Sequence, residues 1–176
     1  MRTGISTERM TQQAPLKPVE AIVGDKSRAA LAIWRMLKGP RIAPRREDIT
    51  LRHVRGLSPW LWMTDVVDNG ADFRFRLMGD RVVQFFDGGH VGQRLSMLGH
   101  DRFFDGMTRM LAHCVAHKVP VAVGPGRPDY VGKDHWDMEA VALPLSDDGE
   151  NVTSLMGAIE LWPLGTAPRQ HASSRL

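Results

Sequence analysis

Residues 60–77, WLWMTDVVDNGADFRFRL, constrain the fold of this chain more than any other stretch. From Asp72 polar and apolar residues alternate strictly through Leu77. A period of two places Phe73, Phe75 and Leu77 on one face and Arg74 and Arg76 on the other, the pattern of a half-buried strand. A second β-rich run, 60–67, precedes it, and Asp68-Asn69-Gly70-Ala71 lies between them. Asn-Gly supplies the positive φ angles of a tight turn, so the two runs are predicted to pair as an antiparallel hairpin. A slip of one residue would bury both arginines, which fixes the register.

The rest of the chain is organised around that hairpin. The first 24 residues are polar, contain Pro15 and Pro18, and show no usable periodicity, so they are expected to be a flexible tail. Asp25 or Ser27 is positioned to cap a helix running to Lys38, with Ala30, Leu31, Trp34 and Leu37 on one face and Gly39-Pro40 as its stop. An arginine-rich link follows, with Arg41, Arg45, Arg46, Arg52 and Arg55 beside Glu47 and Asp48, and a short helix is expected over 46–54. No aromatic residues interleave with these arginines, so they read as a solvated face paired with its own acids and not as a nucleic-acid surface.

Beyond the hairpin a short helix is expected through Val82, Val83, Phe85 and Phe86, then a connector over 90–98. Asp101 is a good cap for the longest helix, 102–117, whose Phe103, Met107, Met110, Leu111 and Cys114 form one apolar stripe. Three strands follow, over 119–123, 135–145 and 152–162. Pro144 has no amide donor, which puts its end of the strand at an edge or bulge. The residues from 165 onward read as a polar tail, leaving one domain over 25–164.

These elements predict an α+β fold: a five-stranded antiparallel sheet with helices on one face and an N-terminal helical extension. A cavity between the sheet and the inserted helices is the expected ligand site. With 176 residues and 43% hydrophobic content, the chain can bury a single sizeable core. A single cysteine fits a reducing compartment. The sequence has no apolar run of membrane-spanning length and no secretory signal near its start, so a cytoplasmic protein without a membrane partner is expected. A net charge of +3 is weak grounds for a polyanionic partner.

Several segments carry a resemblance to a known family. They are the early helix with Trp34, the arginine-rich link to Asp48, Phe73-Arg74-Phe75-Arg76-Leu77-Met78-Gly79, Val91-Gly92-Gln93-Arg94-Leu95, and the strand and turn Glu139-Ala140-Val141-Ala142-Leu143-Pro144-Leu145-Ser146-Asp147-Asp148-Gly149. Over residues 27–163 the chain resembles the PAS domain family, most of all short bacterial proteins made of little more than one PAS domain. The resemblance implies a five-stranded sheet, small-molecule sensing or docking of a signalling protein, and frequent dimerisation. It supplies no ligand or cofactor. The chain lacks the Asn-Cys motif of light-sensing members, and Cys114 sits on the helix stripe, so a photoactive flavin is not implied.

Glu139 shares its phase with Val141 and Leu143, so it must be paired, protonated or near water. It reads either as a pocket group or as a structural pair. The expected pocket is Phe73, Phe75, Leu77, Met107, Leu111, Glu139, Val141 and Leu143. The opposite phases of the last hairpin carry Trp136, Met138 and Trp162. Both of its faces are therefore apolar and need cover, which the Trp34 helix or a second subunit of a homodimer would provide. His113 and His117 have a chelating spacing, but Arg109 lies one turn earlier and no third ligand is evident, so no metal is expected. His90 and His100 could ligate haem in a gas sensor, the main alternative. An enzyme is not expected; Glu139 with His135 is the one acid–base pair to consider.

Overall fold

The computed structural model describes residues 15–169. The ends of both predicted tails, 1–14 and 170–176, lie outside the described residues. Six strands form one antiparallel sheet: β1 (Leu16–Lys17), β2 (Leu61–Val67), β3 (Asp72–Met78), β4 (Val121–Gly126), β5 (Trp136–Leu145) and β6 (Ser154–Pro163). Their order across the sheet is β1-β4-β5-β6-β2-β3. Four helices accompany them: α1 (Asp25–Lys38), α2 (Leu51–Val54), α3 (Asp80–Phe85) and α4 (Arg102–His117).

The predicted hairpin is β2–β3, with Val67 opposite Asp72 and the chain reversing through Asp68, Asn69 and Gly70, all at positive φ. Asp101 caps α4 by accepting hydrogen bonds from the Phe103 and Phe104 amides. β4 pairs with β5 only as far as Ala142, so Pro144 lies beyond its neighbour's end, where a missing N–H costs nothing. The arginine-rich link forms a 3-10 turn at Arg46–Asp48 and the short α2 where one helix was expected. Its arginines pair with acids: Arg41 with Asp48 at 2.8 Å, Arg45 with Glu47 at 3.3 Å and Arg46 with Asp65 at 3.3 Å.

Helices cover both sides of the sheet. One core holds Phe73, Phe85, Phe104, Leu111, Cys114 and Leu155, between the sheet, α3 and α4. The other holds Leu31, Trp34, Val141, Leu143, Leu145 and Met156, between the sheet and α1. Trp34 is 4% exposed and its indole N–H donates to the Pro144 carbonyl at 2.6 Å. Of the two covers expected for this face, the Trp34 helix or a second subunit, the structure shows the helix of the same chain.

The expected boundary of the N-terminal tail needs correction. Leu16 and Lys17 pair with Val123 and Ala122 as a sixth strand, and Ile22 and Val23 are buried. The polar, proline-bearing sequence hid this because a two-residue edge strand owes its conformation to its partner and not to its own pattern.

Candidate functional site

A cavity of about 150 Å³ lies between the sheet and α4. Its floor is Trp62 of β2, Phe75 of β3, Ala140 of β5 and Ile159 of β6. Phe103, Met107 and Met110 of α4 form one wall, with Phe85 and Phe86 beside them. Gly106, on the same stretch of α4, leaves open space where a side chain would project. Trp62 can lie flat across β6 because its partner there is Gly157: a Cβ at that position would fall 2.1 Å from the indole.

The mouth is built by an irregularity in β4. The pairing with β5 shifts between Val123 and Gly126, and Gly124 adopts a φ of 80°, where a Cβ would fall 2.1 Å from the Met138 carbonyl oxygen. Only glycine fits there. The chain then carries Arg127, Pro128 and Asp129 to the rim, where Arg102 and Arg109 of α4 also line the opening. These three arginines and Asp129 are exposed, whereas the phenylalanines at positions 75, 85 and 86 are buried. The site therefore has an apolar interior and a charged rim.

The aromatic side chains pack edge to face or tilted against one another. Phe86 meets Phe75 at 5.8 Å and Phe85 at 5.3 Å between ring centroids, and Tyr130 meets Phe103 at 4.8 Å. Burial pushes the Tyr130 phenol up, reinforced by the nearby charges of Asp87 and Asp101. All six phenylalanines of the chain lie on this side of the sheet.

Of the expected pocket residues, Phe75 and Met107 line the cavity. Phe73 and Leu111 belong to the same core but lie outside the lining. Leu77 does not join them. β3 bulges at Arg76, so that Leu77 pairs with Met63 while Phe75 pairs with Thr64. The extra residue turns Leu77 to the α1 face, where it is 38% exposed. Val141, Leu143 and Glu139 also face α1.

Met138 was placed with Trp34 on the outer face, but it lines the cavity, and Trp136 shares its phase. Trp34 and Trp162 do share the α1 face: Trp162 lies beside Gly24, at the start of α1. The sequence reading missed Phe85, Phe86, Met110, Val123, Ile159 and the rim arginines. The segregation of phenylalanine into 73–75, 85–86 and 103–104 was the available signal for the aromatic part.

Glu139 is fully buried and serves α1. Its Oε2 accepts from the Val23 amide at 3.0 Å and from Lys17 Nζ at 2.8 Å, and its Oε1 accepts from the Gly24 amide at 2.9 Å. Opposite it on β6, Glu160 accepts from the Lys26 amide at 2.7 Å. Gly24, the residue preceding α1, has no side chain to cap the helix, so two strand carboxylates do so. This corrects the expected cap at Asp25 or Ser27. Burial raises the Glu160 carboxyl above the ordinary range; the Lys26 amide opposes the shift, while Asp25 and Glu139 add to it.

The remaining candidates are dispersed. Cys114 is buried on α4, and burial pushes its thiol far up, away from nucleophilic character. The His113 and His117 rings meet at a tilt on α4, 4.2 Å between centroids. His90 touches the Phe86 ring edge and Gln93, and neither His90 nor His100 lines the cavity. Among the described residues the cavity lining has no histidine or cysteine to ligate a haem iron. His135 is exposed beside Asp134 and does not meet the buried Glu139.

No curated protein and no solved structure matches the chain. The sequence profile of the PAS domain does match, over residues 24–160, a span running from the glycine that precedes α1 to Glu160 on β6. An antiparallel sheet with its helices inserted between two hairpins is what that match requires, and the chain belongs to the PAS domain family.

Proposed function

We propose that the protein is a non-catalytic sensory module whose signal is a small, largely apolar molecule held between α4 and the sheet. PAS domains are sensory and regulatory, and the observation that supports a ligand here is the aromatic cavity itself. An apolar void left unfilled forfeits packing, and a core this rich in phenylalanine could close it. A volume near 150 Å³ is of the order that accepts a single benzene-sized ring. No helix among the described residues is long and apolar enough to cross a membrane.

Toluene and indole serve as neutral probes. Ligand at about 100 times its dissociation constant adds about 2.7 kcal/mol of stability. In a domain of this size that raises the melting temperature by roughly 5–10 °C. Ala140→Leu, which fills the floor, should abolish the shift. A wild-type protein whose melting temperature moves with neither probe would refute a ring-sized ligand.

A further inference from the structure

The residues that line the cavity belong to strands or helices, except Phe86 at the end of α3 and the run 127–129 between β4 and β5. A ring that reaches the buried Phe75 and Phe85 must pass this boundary. We infer that residues 127–133 form a lid over the cavity, shut by Tyr130 against the phenylalanines and latched by Lys133 on Asp87. This rests on the reading of the cavity as a ligand site and adds how a ligand enters and is kept.

Two contacts hold the segment shut. The Tyr130 ring lies 4.8 Å from Phe103, 5.6 Å from Phe85 and 5.9 Å from Phe86 between centroids. Those three rings line the cavity, and Tyr130 meets them without lining it. Burial, with the charges of Asp87 and Asp101, keeps the Tyr130 phenol protonated, so the ring closes as a neutral group. Lys133 Nζ pairs with Asp87 Oδ1 at 2.7 Å and stands over the Phe85 ring, 5.9 Å from its centroid. The lysine side chain is 13% exposed and the aspartate 70%, so the latch lies where the segment meets solvent.

The backbone makes the segment the part that can move. Shifting a strand of the floor, or α4, would break a ladder of main-chain hydrogen bonds. Tyr130 and Lys133 instead belong to one turn, in which the Lys133 amide donates to the Tyr130 carbonyl at 3.0 Å and Gly132 has a φ of 77°. That turn ties the closing ring and the latch into one unit. The unit leaves β4 at Gly126, where a Cβ would meet no atom, and glycine there can absorb a change of direction. It rejoins β5 through the exposed Asp134 and His135. Val131 at the tip is 86% exposed, so lifting it removes little packing. Opening therefore costs the Tyr130 ring contacts, the cover of Pro128 and the Lys133–Asp87 pair, while the sheet and α4 keep their bonds.

The test follows fluorobenzene, close in size to toluene, by fluorine NMR on the full chain. Exchange line shapes give its dissociation rate and titration its dissociation constant. Tyr130→Ala should raise association and dissociation rates together, each at least about tenfold, and move the dissociation constant by less than about threefold. Asp87→Asn should raise both rates about two- to fivefold, the range of an exposed ion pair. Asparagine also adopts the left-handed φ of 56° found at this exposed position, so the second variant decides the matter if the first does not fold. Unchanged rates in either folded variant would overturn the lid and leave the ligand site standing. So would a faster dissociation matched by weaker binding, because Tyr130 would then be a wall of the site. If the wild-type protein does not bind fluorobenzene, the ligand reading fails and the lid with it.

Discussion

Glu139→Gln preserves the size of the side chain, removes its charge, and separates helix capping from ion pairing. Three donors converge on the carboxylate: the Val23 and Gly24 amides and Lys17 Nζ. Glutamine has one acceptor oxygen. Its better orientation keeps that oxygen toward Val23 and Lys17 and turns the NH₂ group toward the Gly24 amide, so that two donors face each other in a buried site. A lost hydrogen bond to a charged group costs about 1.5–3 kcal/mol, and an unpaired buried donor about 1–3 kcal/mol. The two overlap, and relief from burying a carboxylate offsets part of the sum. Lys17 is 17% exposed and can turn its ammonium to water, so the stranded charge that makes broken buried pairs so costly is avoided. The expected loss is about 2–4 kcal/mol.

Urea denaturation followed by circular dichroism measures that loss, and hydrogen exchange locates it. Amides of α1 should lose protection before those of the β2–β3 hairpin, because two of the three donors, the Val23 and Gly24 amides, lie where the chain enters α1. A loss below about 1 kcal/mol would refute the capping argument. So would unchanged protection of the α1 amides, since the capping bonds would then carry none of the energy.

Trp34→Ala should cost about 3–5 kcal/mol through the lost indole volume, with Trp34→Phe losing less, chiefly the bond to Pro144. Sedimentation at several concentrations should give the same species for wild type and Trp34→Phe, because this residue packs on its own sheet; a change in association would restore a role for it between subunits. Asp72 tests acid sensitivity. Burial opposes its charge, but hydrogen bonds from Ser96 and the Phe73 amide, with Arg94 nearby, hold it below the ordinary value of 3.8. A carboxylate depressed in the folded state adds stability above 3.8 that disappears as pH falls through its folded value. Asp72→Asn should therefore be less stable than wild type at neutral pH and approach it in acid; a gap independent of pH would contradict this. Glu160, raised by burial, contributes with the opposite sign, its stability falling as pH rises from 4.5, so the comparison must be between variants and not between pH values of one protein.

Where a conformation is decided by neighbours in sequence, the sequence was enough to read it. The β2–β3 turn follows from Asp68-Asn69-Gly70, and α4 from Asp101 with its apolar stripe. The capping of α1 was illegible for the opposite reason. The amide of Gly24 finds its acceptor 115 residues away, on a strand whose register is set by two other strands. No local pattern around Gly24 records that acceptor. Glu139 itself is conspicuous as a carboxylate in an apolar phase, which leaves it paired, protonated or near water, and no local pattern says that Val23, Gly24 and Lys17 are what it meets.

The cavity residues show a different limit. A period of two says which residues share a face of a strand; it does not say which helix lies over that face. The phase of Phe75 was matched with that of Glu139, Val141 and Leu143, and the registers show the reverse. Phe75 lies opposite Thr64, Thr64 opposite Leu155, and Leu155 opposite Pro144, so Phe75 is in step with Ala142, Ala140 and Met138. Each pairing could have shifted by one residue without violating any single strand's pattern. Side-chain size breaks the tie. Along β5 the α1 phase reads Val141, Leu143, Leu145, whose bulk fills the space beneath α1, and all three are fully buried. The other phase reads Ala140, Ala142, with Gly157 and Ile159 beside them on β6. Small residues on a central strand either admit a close helix or leave room. The six phenylalanines lie on the same side, and the cavity falls on the alanine phase.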